Sequence, residues 1–223
     1  MNTTKKVGRP RSIDNTDARP PEEVILESAR RLFAEQGYTA TTTRQIADAV
    51  GVRQPALFHY FGKKIDIFLR IIEASIAPEL RFIEAESARN LRPDARLYRY
   101  ARFVVFNLST NKNVLGSPYG RSELMGEEFR AFWKSLDKVT TTAKEHIQAG
   151  VSAGIFMDVD VDAAARQIFA LIESPLNHRR ISRAKALQNA ELAATLVLRS
   201  LLRDPSVLQE TRELAAGLDH TPK

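Results

Sequence analysis

The chain has 223 residues, 43% of them hydrophobic and none of them cysteine. That is enough apolar mass to bury a core, and it excludes disulfides, thiolate metal sites and cysteine nucleophiles. Lysine and arginine number 33 against 27 aspartates and glutamates, a net charge of +6, which suits an anionic partner such as nucleic acid without identifying one. No stretch approaches the ~18 consecutive apolar residues of a spanning helix, and the polar, basic start lacks an apolar signal core. A cytoplasmic protein with no membrane partner is expected.

Residues 1–21 show no apolar periodicity and carry Lys5, Lys6, Arg9 and Arg11 beside Gly8 and Pro10, the pattern of a flexible basic arm. From Glu22 a helix is predicted, with Ile25, Ala29, Leu32 and Phe33 at helical spacing and Gly37 as its stop. Thr42 or Thr43 can cap a short helix carrying Ile46, Ala47 and Val50, which Gly51 breaks. Gln54 and Pro55 open a third short helix, closed by Gly62 after Phe61. Lys63 starts a longer pattern through Ile65, Phe68, Leu69, Ile72 and Ile76, and Pro78 should kink or end it. Beyond Asn90–Pro93, Asp94 is a candidate cap for a helix holding Leu97, Tyr100, Ala101, Val104 and Leu108.

Residues 111–120 read as a loop. A long helical stretch follows from Leu124 to Ile147, and then a helix from Asp160, as its cap, towards Pro175. A last long helix runs from about Ser182 to Arg203. The remaining tail can form a short helix near Ser206–Gly217. No segment alternates as a strand, so the expected class is all-α.

Two short helices around a glycine turn, buttressed by a longer helix, are what a helix-turn-helix requires. If Leu57 and Phe61 enter the core at i and i+4, then Gln54, Pro55, Ala56, Phe58, His59 and Tyr60 turn towards the exposed side. Exposed aromatics would meet thymine methyls, base edges and phosphates in a groove. The same aromatics also suit the core of a small helical domain.

The run ILESARRLFAEQGYTATTTRQIADAVGVRQPALFHYFGKKIDIF, starting at Ile25, resembles the DNA-binding domain of the TetR family. Its threonines, Arg44, Ile46-Ala47, Gly51-Val52, Leu57, His59-Tyr60-Phe61 and Lys64 fall at the family's spacing. Val50, Arg53 and Phe58 stand where the family more often has alanine, serine and tyrosine. The resemblance implies phosphate contacts from Thr43, Tyr60 and Lys64, and base-facing positions at Arg44, Gln54, Ala56 and His59. Pro55 and Phe58 would add apolar contact, and Arg53 a further phosphate contact. Gly8-Arg9-Pro10-Arg11 resembles the core of an AT-hook, in which Arg9 and Arg11 would enter a narrow minor groove.

The implied organisation is an arm over 1–21, a helix-turn-helix domain over 22–66, a helical effector-binding and dimerisation domain over 67–204, and a tail over 205–223. The family resemblance further implies a homodimer on a pseudo-palindromic operator of double-stranded DNA, with the Ala186–Leu201 face as a dimer seam. It also implies an unidentified small-molecule effector that releases a repressor. Phe103, Phe106, Arg121, Trp133, His146, Phe169 and Glu173 are the candidate effector contacts, although such stripes also serve as plain core. No cofactor or metal is expected. Histidines at 59, 146, 178 and 220 have no metal-ligand spacing, and no HExxH, GxxxxGK[ST], GxGxxG or GxSxG occurs, so an enzyme is not expected. A ligand-independent architectural DNA-binding protein remains the alternative.

Overall fold

The computed structural model describes residues 19–118, 122–177 and 181–216. The expected contacts of Arg9, Arg11 and Arg121 lie outside these residues. The chain divides into two compact units, one up to Glu73 and one from Ala74. Among the described residues every regular element is helical, which meets the all-α expectation, and no helix is long and apolar enough to cross a membrane.

In the first unit, α1 (Pro21–Gln36) begins with proline at its first position and Glu22 and Glu23 in its first turn, both suited to a helix N-terminus. It stops at Gly37, whose φ of 84° strains any residue with a Cβ. The second helix, α2 (Thr43–Ala49), carries a capping box. The Thr42 hydroxyl accepts from the Gln45 N–H, and the Gln45 side chain accepts from the Thr42 N–H at 2.8 Å. Gly51, at φ 72°, makes the turn, and α3 (Gln54–Tyr60) follows. Ile25, Ala29, Phe33, Ile46, Ala47, Leu57, Ile67 and Phe68 are buried together in this unit. Tyr38 stacks on Phe68 with ring centroids 4.4 Å apart, and Phe33 meets both rings.

The long helix α4 (Lys64–Ser87) begins in the first unit and ends in the second. It runs through Pro78, where a break was one expected outcome. Proline removes one main-chain donor, and in the turn before it Asn111 Nδ2 donates to the Ser75 carbonyl at 3.0 Å, a side-chain donor beside the lost one.

In the second unit, α5 (Pro93–Thr110) lies antiparallel to α4. Asn111 meets Ser75, and Asn107 donates to Glu79 at 3.0 Å. Phe103 stacks on Phe82 at 4.2 Å, and Arg99 pairs with Glu86 at 2.7 Å. The cap of α5 is Arg92 rather than Asp94. Pro93 takes the first helical position, which it favours, and places Asp94 inside the first turn. There Asp94 is buried and accepts from Arg92 Nη2 at 2.7 Å and Thr211 Oγ1 at 2.5 Å.

The stretch expected as one helix from Leu124 opens as two 3₁₀ turns, Ser122–Leu124 and Glu127–Phe129, separated at Gly126. Only then does α6 (Arg130–Ser152) begin. Phe156 packs over Gly150 so closely that a Cβ there would lie 2.0 Å from its ring. Capped by the Asp160 carboxylate, α7 (Val161–Ile172) passes into a 3₁₀ turn across Pro175. Ser182 caps α8 (Arg183–Leu201), which packs on α5 through Ala186, Ala190, Ala194, Val197 and Leu198. From 205 onward the chain is no loose tail as far as it is described: α9 (Leu208–Ala216) packs on α5 and buries Leu208, Thr211 and Ala215.

Candidate nucleic-acid interface

The alternation of buried and exposed residues along α3 defines its outer face. Leu57 is 0% and Phe61 6% exposed, whereas Phe58 is 43% and Tyr60 38% exposed. Pro55, Ala56 and His59 are exposed as well. The His59 and Tyr60 rings meet edge to face at 5.5 Å. The seven-residue helix and its C-cap Phe61 therefore spend two anchors on the core and present three aromatic rings outward, an arrangement costly in water and useful against base edges and sugar.

Gln54 and Thr43 tie the two short helices together: Gln54 Nε2 donates to Thr43 Oγ1 at 2.7 Å. This fixes the first turn of α3 against the first turn of α2, and it uses one Gln54 donor while the amide retains a second. Arg44 extends outward with its side chain 83% exposed and only a 3.8 Å approach to Asp48, a pair that contributes little in water. Arg53, which precedes α3, and Lys63, which precedes α4, are exposed cations beside the same helices.

Lys64, for which the family resemblance implies a phosphate contact, is bonded within its own unit. Its Nζ donates to the main-chain oxygens of Tyr38 at 2.9 Å and Thr41 at 2.8 Å, and it sits 4.1 Å from the Tyr38 ring centroid. Burial holds its pKa below the usual lysine value. The ammonium thus clamps the loop between α1 and α2 onto the start of α4. Thr41 completes the clamp from a buried position, donating its hydroxyl to the Gly37 carbonyl at 2.7 Å and accepting from Gln36 at 3.1 Å. Neither Tyr38 nor Thr41 stood out as functional in the sequence, because the lysine is bound mainly by carbonyl groups, which every residue carries.

The effector candidates in the second unit are dispersed. Phe103 is stacked on Phe82, and Phe106 lies under the Arg183 guanidinium at 5.1 Å. Trp133 donates its indole N–H to the Leu124 carbonyl at 2.7 Å. His146 meets the Tyr100 ring at 5.9 Å; burial and the nearby Arg96 charge push its pKa down to about 4, so it is neutral at pH 7. Phe169 and Glu173 line one groove together, between α6 and α7. Among the described residues no group of three or more histidine, aspartate or glutamate side chains is arranged to hold a metal ion.

These features define a helix-turn-helix domain joined to a helical domain. Residues 25–71 match the family described as bacterial regulatory proteins, tetR family. The match lies within the first unit and leaves the second unit outside it. Among curated relatives, the HTH-type transcriptional repressor AcnR of Corynebacterium efficiens is 31% identical over 123 residues, covering 53% of this chain and 59% of that protein. The HTH-type transcriptional repressor KstR2 of Rhodococcus jostii is 28% identical over 155 residues, covering 64% and 71%. The chain thus spans less than two thirds of the AcnR relative, at 59%. Mycobacterium smegmatis AmtR superposes with a TM-score of 0.71 at 25% identity over 95% of this chain and 99% of that one. KstR2 of Mycobacterium tuberculosis shares the fold, with a TM-score of 0.76 at 20% identity over 84% and 98%.

Proposed function

We propose that this chain is a sequence-specific transcriptional regulator that binds operator DNA as a homodimer and represses until a small-molecule effector releases it. The outer face of α3 carries the reading: Phe58, His59 and Tyr60 project from a helix whose other side is fixed by Leu57 and Phe61, a shape matched to the major groove. His59, Gln54, Ala56 and Arg44 read bases; Thr43, Tyr60 and Arg53 meet phosphates; Pro55 and Phe58 pack on sugar and methyl groups. The repressor sense follows the relatives described as HTH-type transcriptional repressors. No catalytic role is proposed.

Dimerisation falls to a different face of α8 from the alanine stripe. That stripe is buried within the chain against α5, whereas Leu192 and Leu196 remain 59% and 44% exposed. They border an apolar groove of about 330 Å³ with Leu171, Pro175 and Ile181. A second copy covering this face would place two α3 helices on successive major grooves, ~34 Å apart. An effector held in the second unit would act through α4, the helix that both units share.

Selection from a random-sequence duplex library tests the reading. Enrichment of an inverted repeat, with half-sites spaced by whole helical turns, is expected. Enrichment without sequence preference would replace it with an architectural role.

A further inference from the structure

The groove between α6 and α7 has a volume of about 570 Å³, within the range of small-molecule sites. Its two ends differ in charge. At one end Lys144 is ion-paired with Asp162 at 2.5 Å, and Arg166 adds a second positive charge near the same carboxylate. Two helical turns back along α6 lies Asp137, and three turns on from Asp162 lies Glu173 at the end of α7. Phe169, Ala165 and Ala170 form an apolar wall between these ends, and Thr140 and Thr141 line the side facing it.

Glu173 is the uncompensated group. It is half-buried, and among the described residues its carboxylate makes no hydrogen bond or ion pair. Burial alone raises its pKa. Its charge also reaches Glu79, which is 5% exposed and bonded to Asn107; burial and the Glu173 charge push the Glu79 pKa up to about 7. A cation at Glu173 would offset the desolvation of that carboxylate and the repulsion it exerts on Glu79.

We propose that this groove binds an organic cation, with its ammonium or equivalent group at Glu173 and its apolar body along Phe169, Ala165 and Ala170. Asp137 closes the acidic end from α6. At the opposite end the Asp162 carboxylate already occupies Lys144, leaving Arg166, among the described residues, as the one cation not matched by a carboxylate there. The site stands on the groove itself; that its occupant acts on operator binding rests on the regulator reading.

Calorimetric titration of the full chain with hexylammonium at pH 8, without DNA, tests the site, with hexanol and hexanoate as controls of the same length. Saturable binding of one hexylammonium per chain is expected, with hexanol and hexanoate weaker by at least about ten-fold, the worth of one partly buried ion pair. Glu173→Gln should lose the same factor while keeping its thermal midpoint, and the surface change Asp137→Asn should weaken binding by a smaller factor. Hexanol binding as tightly as hexylammonium, no saturable binding, or unchanged affinity in Glu173→Gln would overturn the proposal. Operator titration with and without hexylammonium then separates the two readings: binding that leaves DNA affinity unchanged retains the site and removes its regulatory role.

Discussion

His59 and Lys64 are five positions apart, and the fold gives them opposite tasks. His59 projects outward from α3, its ring edge to face with that of its neighbour Tyr60. His59→Ala should cost about 1–3 kcal/mol on the selected operator and relax preference at one base step, with little loss on random DNA. Equal losses on both, measured by fluorescence anisotropy, would remove His59 from base readout. Lys64 faces inward onto two carbonyls. Lys64→Met should therefore lower the stability of the domain by about 1–3 kcal/mol, the worth of hydrogen bonds to a charged donor. A urea midpoint equal to that of the unaltered chain would show that the clamp carries no weight. The outward set was legible because Leu57 and Phe61 are apolar at i and i+4. The clamp was not, because the oxygens it binds lie 26 and 23 residues before it and leave no side-chain pattern.

At the scale of elements, helix ends decide how well sequence predicts structure. Thr42, Asp160 and Ser182 cap their helices through side-chain oxygens, and such residues announce themselves. Asp94 looked like one of them, but Pro93 claims the first helical position and turns the carboxylate inward to Thr211. That bond joins residues 117 positions apart, so no local pattern reveals it, and the same contact explains why α9 is firmly attached. Pro78 illustrates the reverse case, a breaker that does not break its helix, with Asn111 donating to the turn before it. Thr42→Ala should destabilise the first unit by about 1 kcal/mol by removing the capping box. Circular dichroism during urea unfolding checks this, and an unchanged midpoint would assign the start of α2 to packing alone.

Across the whole molecule, charge burial links stability to pH. Glu79, normally near 4.5, is pushed up to about 7, so the folded chain holds a proton that the unfolded chain releases between those values. Stability contributed at this site is greatest below about 4.5 and falls as pH rises towards 7. Glu79→Gln carries no titrating group there, and its stability relative to the unaltered chain should therefore increase over that interval, by up to about 3 kcal/mol. A pH-independent difference in urea midpoints would contradict the raised pKa. The all-α class, the helix-turn-helix and its outward residues were legible at this scale because short-range periodicity encodes them. The effector candidates were not brought to one place, since which helix faces meet depends on packing between distant segments. The alanine stripe of α8 was read as a dimer seam but is consumed by α5, leaving Leu192 and Leu196. Replacing both with lysine should give a monomer by sedimentation and reduce operator affinity steeply while leaving the fold intact; an unchanged dimer would place the seam elsewhere.

Sequence-specific reading of DNA by α3 is tested most directly by one titration. The selected inverted repeat and a scrambled duplex of equal length are each titrated with the full chain at two salt concentrations. Tighter binding to the repeat by about 10³-fold or more is expected, with both affinities falling as salt rises because phosphate contacts are common to the two. Equal affinity for the two duplexes at both salt concentrations would contradict sequence reading by this helix.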